Sequence, residues 1–225
     1  MLYLLDTANA DEIARLVDAY PVCGVTTNPA ILGQEGAEPA RQLRLIRQAI
    51  GPQRMLHAQV TGKDAETMVR EALALRDAVG ESFYVKIPAV PEGLRAMPAL
   101  KKEGLKVTAT AIFDTSQALL FARAGADFVA PYVSRLDNIG ADGVDIVEEI
   151  MHDFKEYGVT TGVLAASFRT ADQIRRLAKH GITAVTVTPA FLEALLWHPM
   201  TDDAMRRFDA AWAKLTGGRD WTQLL

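Results

Sequence analysis

The feature that most constrains this chain is a strict alternation of short β-rich runs with longer amphipathic segments. Strands are expected near Leu2–Asp6, Val22–Thr26, Met55–Val60, Phe83–Pro88, Lys106–Ile112, Asp127–Tyr132, Val159–Ala166 and Thr183–Thr188. Their cores are near-continuous Val, Ile, Leu and Ala, the pattern of parallel strands covered on both faces. The intervening segments have helical spacing, as Met68, Ala72, Leu75 and Val79 do within Asp64–Val79. Asn9 with Glu12, and Thr170 with Gln173, have the spacing of a capping box. Gly104, Gly125, Gly158 and Gly181 mark helix ends just ahead of strands five to eight. Such alternation builds a parallel sheet. Eight units in 225 residues favour an α/β fold closed into a single (β/α)8 TIM barrel. An open doubly wound sheet stays possible, because periodicity does not register closure. No glycine-rich nucleotide loop follows any strand, which removes the usual reason to prefer it.

The barrel is expected to occupy residues 1–200, with a surplus element at 201–225. Thr201–Leu215 places Met205, Phe208, Trp212 and Leu215 on one helical face, and the tail ends in Trp221-Thr222-Gln223-Leu224-Leu225. That stripe covers either the barrel's own outer helices or a neighbouring subunit. The latter would make 201–225 a C-terminal helix and tail docked on another copy.

Bulk properties remove several function classes. A net charge of −4 and a pI near 5.6 offer no electrostatic reason to bind nucleic acid or an anionic membrane. No apolar stretch is long enough to span a bilayer, and the first residues lack the basic and small-residue signals of a secretory leader. The single cysteine, Cys23, has no internal disulfide partner, which fits a reducing, cytoplasmic setting. His57, His152, His180 and His198 are scattered without ligand spacing, so no metal and no cofactor are expected.

Lys86 interrupts the apolar strand Phe83-Tyr84-Val85-Lys86-Ile87-Pro88. Lysine is rarely buried unless paired, and burial lowers its pKa. A lysine neutral near pH 7 is a nucleophile able to form a Schiff base with a ketone; a half-buried lysine that snorkels outward is the ordinary alternative. In (β/α)8 enzymes chemistry sits at the C-terminal strand ends. Lys86 meets that condition, whereas Lys106 opens strand five and does not. Asp6, Thr26, Thr27, Asn28, Gln59, Thr110, Tyr132 and Ser167 also fall at or near those ends. Singly each could be a cap or a satisfied core group; together they outline a polar ring around one amine. Asp6 is the least comfortable in a core, since a buried carboxylate needs a partner, and Lys86 can be that partner. Arg135 follows strand six and Ser167-Phe168-Arg169 follows strand seven, where this fold places its phosphate sites. Surface pairing with Asp137 or Asp172 is the alternative. With a candidate Schiff-base lysine, these residues point to a phosphorylated keto-sugar.

In these segments the chain resembles the small transaldolases and fructose-6-phosphate aldolases. The matching runs are Leu4-Leu5-Asp6-Thr7, Gly24-Val25-Thr26-Thr27-Asn28-Pro29, Val85-Lys86-Ile87-Pro88, Ala130-Pro131-Tyr132-Val133-Ser134-Arg135-Leu136-Asp137 and Ala165-Ala166-Ser167-Phe168-Arg169. The resemblance implies a metal-free class I mechanism. Lys86 would form the Schiff base, Asp6 would assist proton transfers, and Asn28 would hold donor hydroxyls. Arg135, Ser167 and Arg169 would grip the phosphate of the aldehyde portion. Gln59 and Tyr132 are the residues of the aldolase branch, where Gln59, Thr110 and Tyr132 position a catalytic water; transaldolases have glutamate and phenylalanine there. On that pair the expectation is an aldolase joining dihydroxyacetone or hydroxyacetone to glyceraldehyde 3-phosphate or another aldehyde. The alternatives are a transaldolase moving the dihydroxyacetone unit to erythrose 4-phosphate, and a non-catalytic barrel that binds sugar phosphates. Thr110-Ala111-Ile112-Phe113, Leu136-Asp137-Asn138-Ile139-Gly140 and His198-Pro199-Met200-Thr201-Asp202 are closer to the transaldolase branch. Arg169 stands where the aldolases have lysine, Ser134 where they have asparagine, and His57 replaces an apolar aromatic. A homo-oligomer, commonly a decamer, is also implied.

Overall fold

The computed structural model describes all residues, Met1–Leu225. Eight parallel strands, β1 (Leu2–Asp6), β2 (Val22–Thr26), β3 (Met55–Gln59), β4 (Phe83–Pro88), β5 (Lys106–Ile112), β6 (Phe128–Pro131), β7 (Gly162–Ala165) and β8 (Ala184–Val187), pair in chain order. β1 then pairs with β8, so the sheet closes into the expected (β/α)8 barrel. The helices are α1 (Ala10–Ala19), α2 (Pro29–Gln34), α3 (Pro39–Ile50), α4 (Ala65–Val79), α5 (Pro91–Lys102), α6 (Thr115–Arg123), α7 (Val133–Asp137), α8 (Gly143–Glu156), α9 (Ala171–Lys179), α10 (Pro189–Leu196) and α11 (Pro199–Thr216).

Local chemistry sets many of the boundaries. The Asn9 side chain accepts from the Glu12 amide and starts α1. Thr170 and Gln173 form a reciprocal capping box on α9. Gly104, Gly125, Gly158 and Gly181 all adopt positive φ where helices stop. β6 and β7 are shorter than the periodicity suggests. Their ladder runs only from Phe128–Gly162 to Val129–Val163, and Tyr132 meets Ala166 as an isolated bridge. Ahead of it, the Thr161 hydroxyl is committed to the Ala126 carbonyl (2.8 Å).

Inside the barrel, Leu4, Phe128, Leu164 and Ala184 form a buried cluster, with Leu2, Met55 and Tyr84 packed against it. Side chains two residues apart on a strand share a face. One such step toward the C-terminal end, Leu4 gives way to Asp6, Tyr84 to Lys86 and Ala184 to Thr186. An apolar floor therefore lies directly under a polar layer. Gly24 permits the close approach of β2 and β3: a Cβ there would meet the Met55 carbonyl oxygen and stand 2.7 Å from Met55 Cβ.

By compactness the chain divides into Met1–Pro189 and Ala190–Leu225. In the second unit, Gly217 ends α11 in the left-handed conformation. Trp212 packs on Trp221 at 4.8 Å between ring centroids and donates its indole N–H to the Arg219 carbonyl. Met205, Phe208 and Leu215 remain exposed, so most of the apolar stripe on this helix is uncovered. No helix is long and apolar enough to cross a membrane.

Gly24→Ala should cost about 1–3 kcal/mol in urea unfolding, because the overpacked contact is with backbone and cannot relax. Gly33→Ala, which meets nothing within 4 Å on α2, should be neutral or stabilising by up to about 1 kcal/mol.

Candidate active site

Lys86 lies on β4 with its side chain inside the barrel, only 5% exposed. Its Nζ donates to the Thr27 carbonyl at 2.7 Å. Burial pushes its pKa down to about 8, and the negative charge of Asp6 limits the fall. About a tenth of the amine is therefore neutral at pH 7, while the protonated remainder can still donate a proton. The amine faces a cavity of about 270 Å3 at the C-terminal end of the barrel.

Asp6, Thr26, Asn28, Thr108, Tyr132, Arg135, Ser167 and Thr186 share that cavity with Lys86. Thr26 Oγ1 lies 2.7 Å from Asp6 Oδ1 and 2.7 Å from Thr186 Oγ1. A hydroxyl has a single proton, so Thr26 gives it to the carboxylate and accepts from Thr186. The Asn28 side-chain oxygen is used up as the cap of α2, accepting from the Ala30 and Ile31 amides at 3.0 Å each. Only its NH2 group is left for a ligand, so Asn28 can act there only as a donor. The Tyr132 hydroxyl is 3.2 Å from Thr110 Oγ1. The Arg135 guanidinium lies 4.8 Å from the Tyr132 ring centroid, and the Phe113 ring stands nearly perpendicular to Tyr132 with 5.6 Å between centroids.

Backbone strain sits at two positions beside these residues, one in β5 and one after β7. Ser167 has φ 65°, and Ala111 has φ 58° at the register shift between Thr110 and Ile112. Such conformations in non-glycine residues persist where surrounding contacts impose them. Around Ser167 the contacts are visible. Ser134 N donates to the Ser167 carbonyl at 2.8 Å. The Gln173 side chain accepts from the Arg169 and Thr170 amides (2.8 and 3.1 Å) and donates to Asp137 Oδ2 (2.6 Å). One amide thus ties α7, which carries Arg135, to the Ser167–Arg169 loop.

Of the residues singled out from the sequence, Asp6, Thr26, Asn28, Lys86, Tyr132, Arg135 and Ser167 converge on one cavity. Thr110 joins through Tyr132. Gln59 is in register with Lys86, so its side chain shares the inner face of the barrel with the amine, and the residue also borders a groove with Pro29, Leu32 and Glu71. Arg169 is exposed and outside the cavity lining. Sequence reasoning missed Thr108, Thr186 and the Thr27 carbonyl. Strand parity could have found the two threonines, since each lies two residues beyond an inward-facing position; the carbonyl left no signal. No group of three or more His, Cys, Asp or Glu side chains is placed to hold a metal ion.

The lysine makes a stability prediction with a defined sign. Between about 8, its folded value, and 10.5, the unfolded chain binds the proton more tightly, so unfolding free energy rises with pH across that window. Relative to Lys86→Met, which lacks this linkage, wild type should gain on the order of 1–3 kcal/mol between pH 7 and 10 in urea unfolding. At pH 7 the variant should be the more stable of the two. A difference that stays flat with pH would return the amine to its ordinary value.

Comparison with known proteins adds an independent result. Solved structures of a flavocytochrome b2 variant (TM-score 0.61, 12% identity, 85% of this chain and 57% of that one) and a mandelate oxidase variant (TM-score 0.57, 14% identity, 84% and 64%) share the barrel fold. This chain spans little more than half the length of the former. In sequence, it is 40% identical to a probable transaldolase of Thermoanaerobacter sp. over 95% of this chain and 98% of the relative. It is 39% identical to one of Sinorhizobium medicae (95% and 97%) and 40% identical to one of Kosmotoga olearia (97% and 99%). The model of the Transaldolase/Fructose-6-phosphate aldolase family matches residues 3–220, and the chain belongs to that family.

Proposed function

We propose that this protein is a class I transaldolase that carries a dihydroxyacetone unit on Lys86 from a ketose phosphate to an aldehyde such as erythrose 4-phosphate. The observation behind the imine chemistry is the buried Lys86 amine, with its lowered pKa, in a cavity shared with Asp6. The neutral amine adds to the ketone carbon of the donor, and loss of water gives the imine. The imine accepts the electron pair of the breaking carbon–carbon bond as the adjacent hydroxyl gives up its proton. The aldehyde portion leaves and an enamine stays on Lys86. Addition of the enamine to an acceptor aldehyde, then hydrolysis, releases the new ketose and restores the amine. Asp6, hydrogen-bonded to Thr26, handles these protons. Arg135 and Ser167 at the mouth, with Arg169 on the adjoining loop, recognise the phosphate.

Transfer is favoured over release by the relatives, which are called probable transaldolases and match almost end to end at about 40% identity. The aldolase first expected rests on Gln59 and Tyr132 acting together on a water, and Gln59 is in register with Lys86. One observation still favours aldolase as the second reading: Tyr132 places a phenol, held by Thr110, in the Lys86 cavity. A phenol can protonate an enamine and free the donor, which a phenyl group cannot. Sugar phosphate, keto donor and aldehyde are the small-molecule partners in either case. A cytoplasmic homo-oligomer, the decamer implied by the family resemblance, accords with the uncovered apolar face of α11. In that reading residues 1–200 form the catalytic barrel and 201–225 dock on a neighbour.

With fructose 6-phosphate as donor, sustained release of glyceraldehyde 3-phosphate should require erythrose 4-phosphate. Multiple turnovers without acceptor, with free dihydroxyacetone accumulating, would make the protein an aldolase. Borohydride with a ketone donor should label Lys86; an unlabelled lysine under saturating donor would leave only a non-catalytic barrel. Lys86→Ala should lower turnover on the order of 10⁴-fold or more and Asp6→Asn about 10²–10⁴-fold, each with the fold retained by circular dichroism. Tyr132→Phe should suppress any residual donor release more than transfer. Light scattering tests the assembly, and a monomer would exclude it.

A further inference from the structure

Arg135 is exposed, yet the short helix that carries it is tied down on both sides of it. Ahead of Arg135, Ser134 N donates to the Ser167 carbonyl at 2.8 Å. Beyond it, Asp137 Oδ2 accepts from Gln173 Nε2 at 2.6 Å and Asp137 Oδ1 accepts from Gly143 N at 2.8 Å. The Gln173 oxygen accepts from the Arg169 and Thr170 amides at 2.8 and 3.1 Å. Its second N–H points to Ser134 Oγ at 3.3 Å. The side-chain amide thus spends both donors and both lone pairs. Neither acidic neighbour pairs with the two arginines: Asp137 is taken by Gln173 and Gly143, and Asp172 by Arg175. The guanidiniums of Arg135 and Arg169 keep no carboxylate partner.

The two sides of this bridge are chemical opposites. Backbone N–H groups only donate, and both oxygens of Asp137 are used as acceptors, the pattern of a carboxylate. A linker between them must accept at one end and donate at the other, which a primary amide does without net charge. A carboxylate at this position would face Asp137 with like charge, and a cationic side chain would leave the Arg169 and Thr170 amides unpaired. Capping α9 needs only the oxygen, because glutamate serves a capping box as well as glutamine. The donor end, turned to α7, is surplus to that role.

We propose that Gln173, turned by Asp137, is a positioning residue that fixes α7 against the Ser167–Arg169 loop and so sets the affinity of the site for the phosphate end of the ketose. This rests on Arg135, Ser167 and Arg169 being the phosphate-recognising residues, and adds what holds them at one spacing. An anion gripped from two chain segments is bound tightly only where their spacing is set beforehand, since otherwise binding must also order them. The carbonyl end, bonded to Lys86 inside the barrel, does not draw on that spacing.

The test is borohydride trapping on Lys86, read by intact mass, with fructose 6-phosphate and with dihydroxyacetone, which has no phosphate. In Gln173→Met, which keeps the length and removes the amide, the fructose 6-phosphate concentration for half-labelling should rise about 10-fold, the worth of a hydrogen bond to a charged group. The dihydroxyacetone value should stay within twofold. Asp137→Ala, which leaves the Gln173 oxygen on α9, should shift the fructose 6-phosphate value in the same direction, and the double variant should go no further than Gln173→Met alone. Arg135→Met should raise that value at least as much. Equal rises for both ketones in Gln173→Met and Asp137→Ala would show a general loss of packing and overturn the proposal. So would a fructose 6-phosphate value unchanged within twofold in both variants while Arg135→Met is impaired, which leaves the phosphate reading standing. No change in Arg135→Met overturns the phosphate reading, and absence of label in wild type overturns the imine reading; the proposal falls with either.

Discussion

Closure of the sheet is the constraint on which everything else in this molecule depends. An open eight-stranded parallel sheet would leave two edges of unpaired N–H and C=O groups, and pairing β1 with β8 removes both. Closure also brings all eight C-terminal strand ends around one opening. Asp6, Thr26, Lys86, Tyr132, Ser167 and Thr186 come from six different strands or their ends, yet line or border one small space. None of them is near another in sequence except by strand-length steps. The site is a consequence of barrel geometry before it is a consequence of any single motif.

Within that space the decisive balance is electrostatic. An ammonium taken out of water is costly, and burial alone would drive Lys86 toward the neutral form. Asp6 pulls the other way, and the Thr27 carbonyl accepts one N–H. The result is an amine that loses its proton only a little above neutrality, reactive enough to add to a ketone and still able to carry a proton. The apolar floor supplied by Leu4, Phe128, Leu164 and Tyr84 maintains the desolvation. His57 makes that floor locally polar without adding charge, because its burial keeps the ring neutral.

The loops above the barrel are held by hydrogen bonds that serve two purposes at once. Gln173 caps α9 and joins α7, which carries Arg135, to the loop carrying Arg169. Asn28 caps α2 and thereby keeps only its donor end for the cavity. Ser167 is kept at positive φ beside these contacts. Residues whose roles in starting a helix look purely structural therefore also decide which polar atoms remain available to a ligand.

The sequence by itself determined the fold class, because period-2 and period-3.6 patterns, caps and terminal glycines are local properties of the chain. It also determined the candidates for chemistry, since a lysine inside an apolar strand and a carboxylate at a strand end have few ordinary uses. The family runs around Asp6, Asn28, Lys86, Tyr132 and Ser167 sharpened that set. Only the tertiary structure decided which candidates meet. It brought Thr108 and Thr186 into the cavity with Lys86 and left Arg169 exposed. It also set the hydrogen-bond direction at Thr26, which depends on Asp6 and Thr186, 20 and 160 residues away in the chain. A direction of that kind has no local signature: it exists only once closure of the barrel has fixed who stands opposite whom.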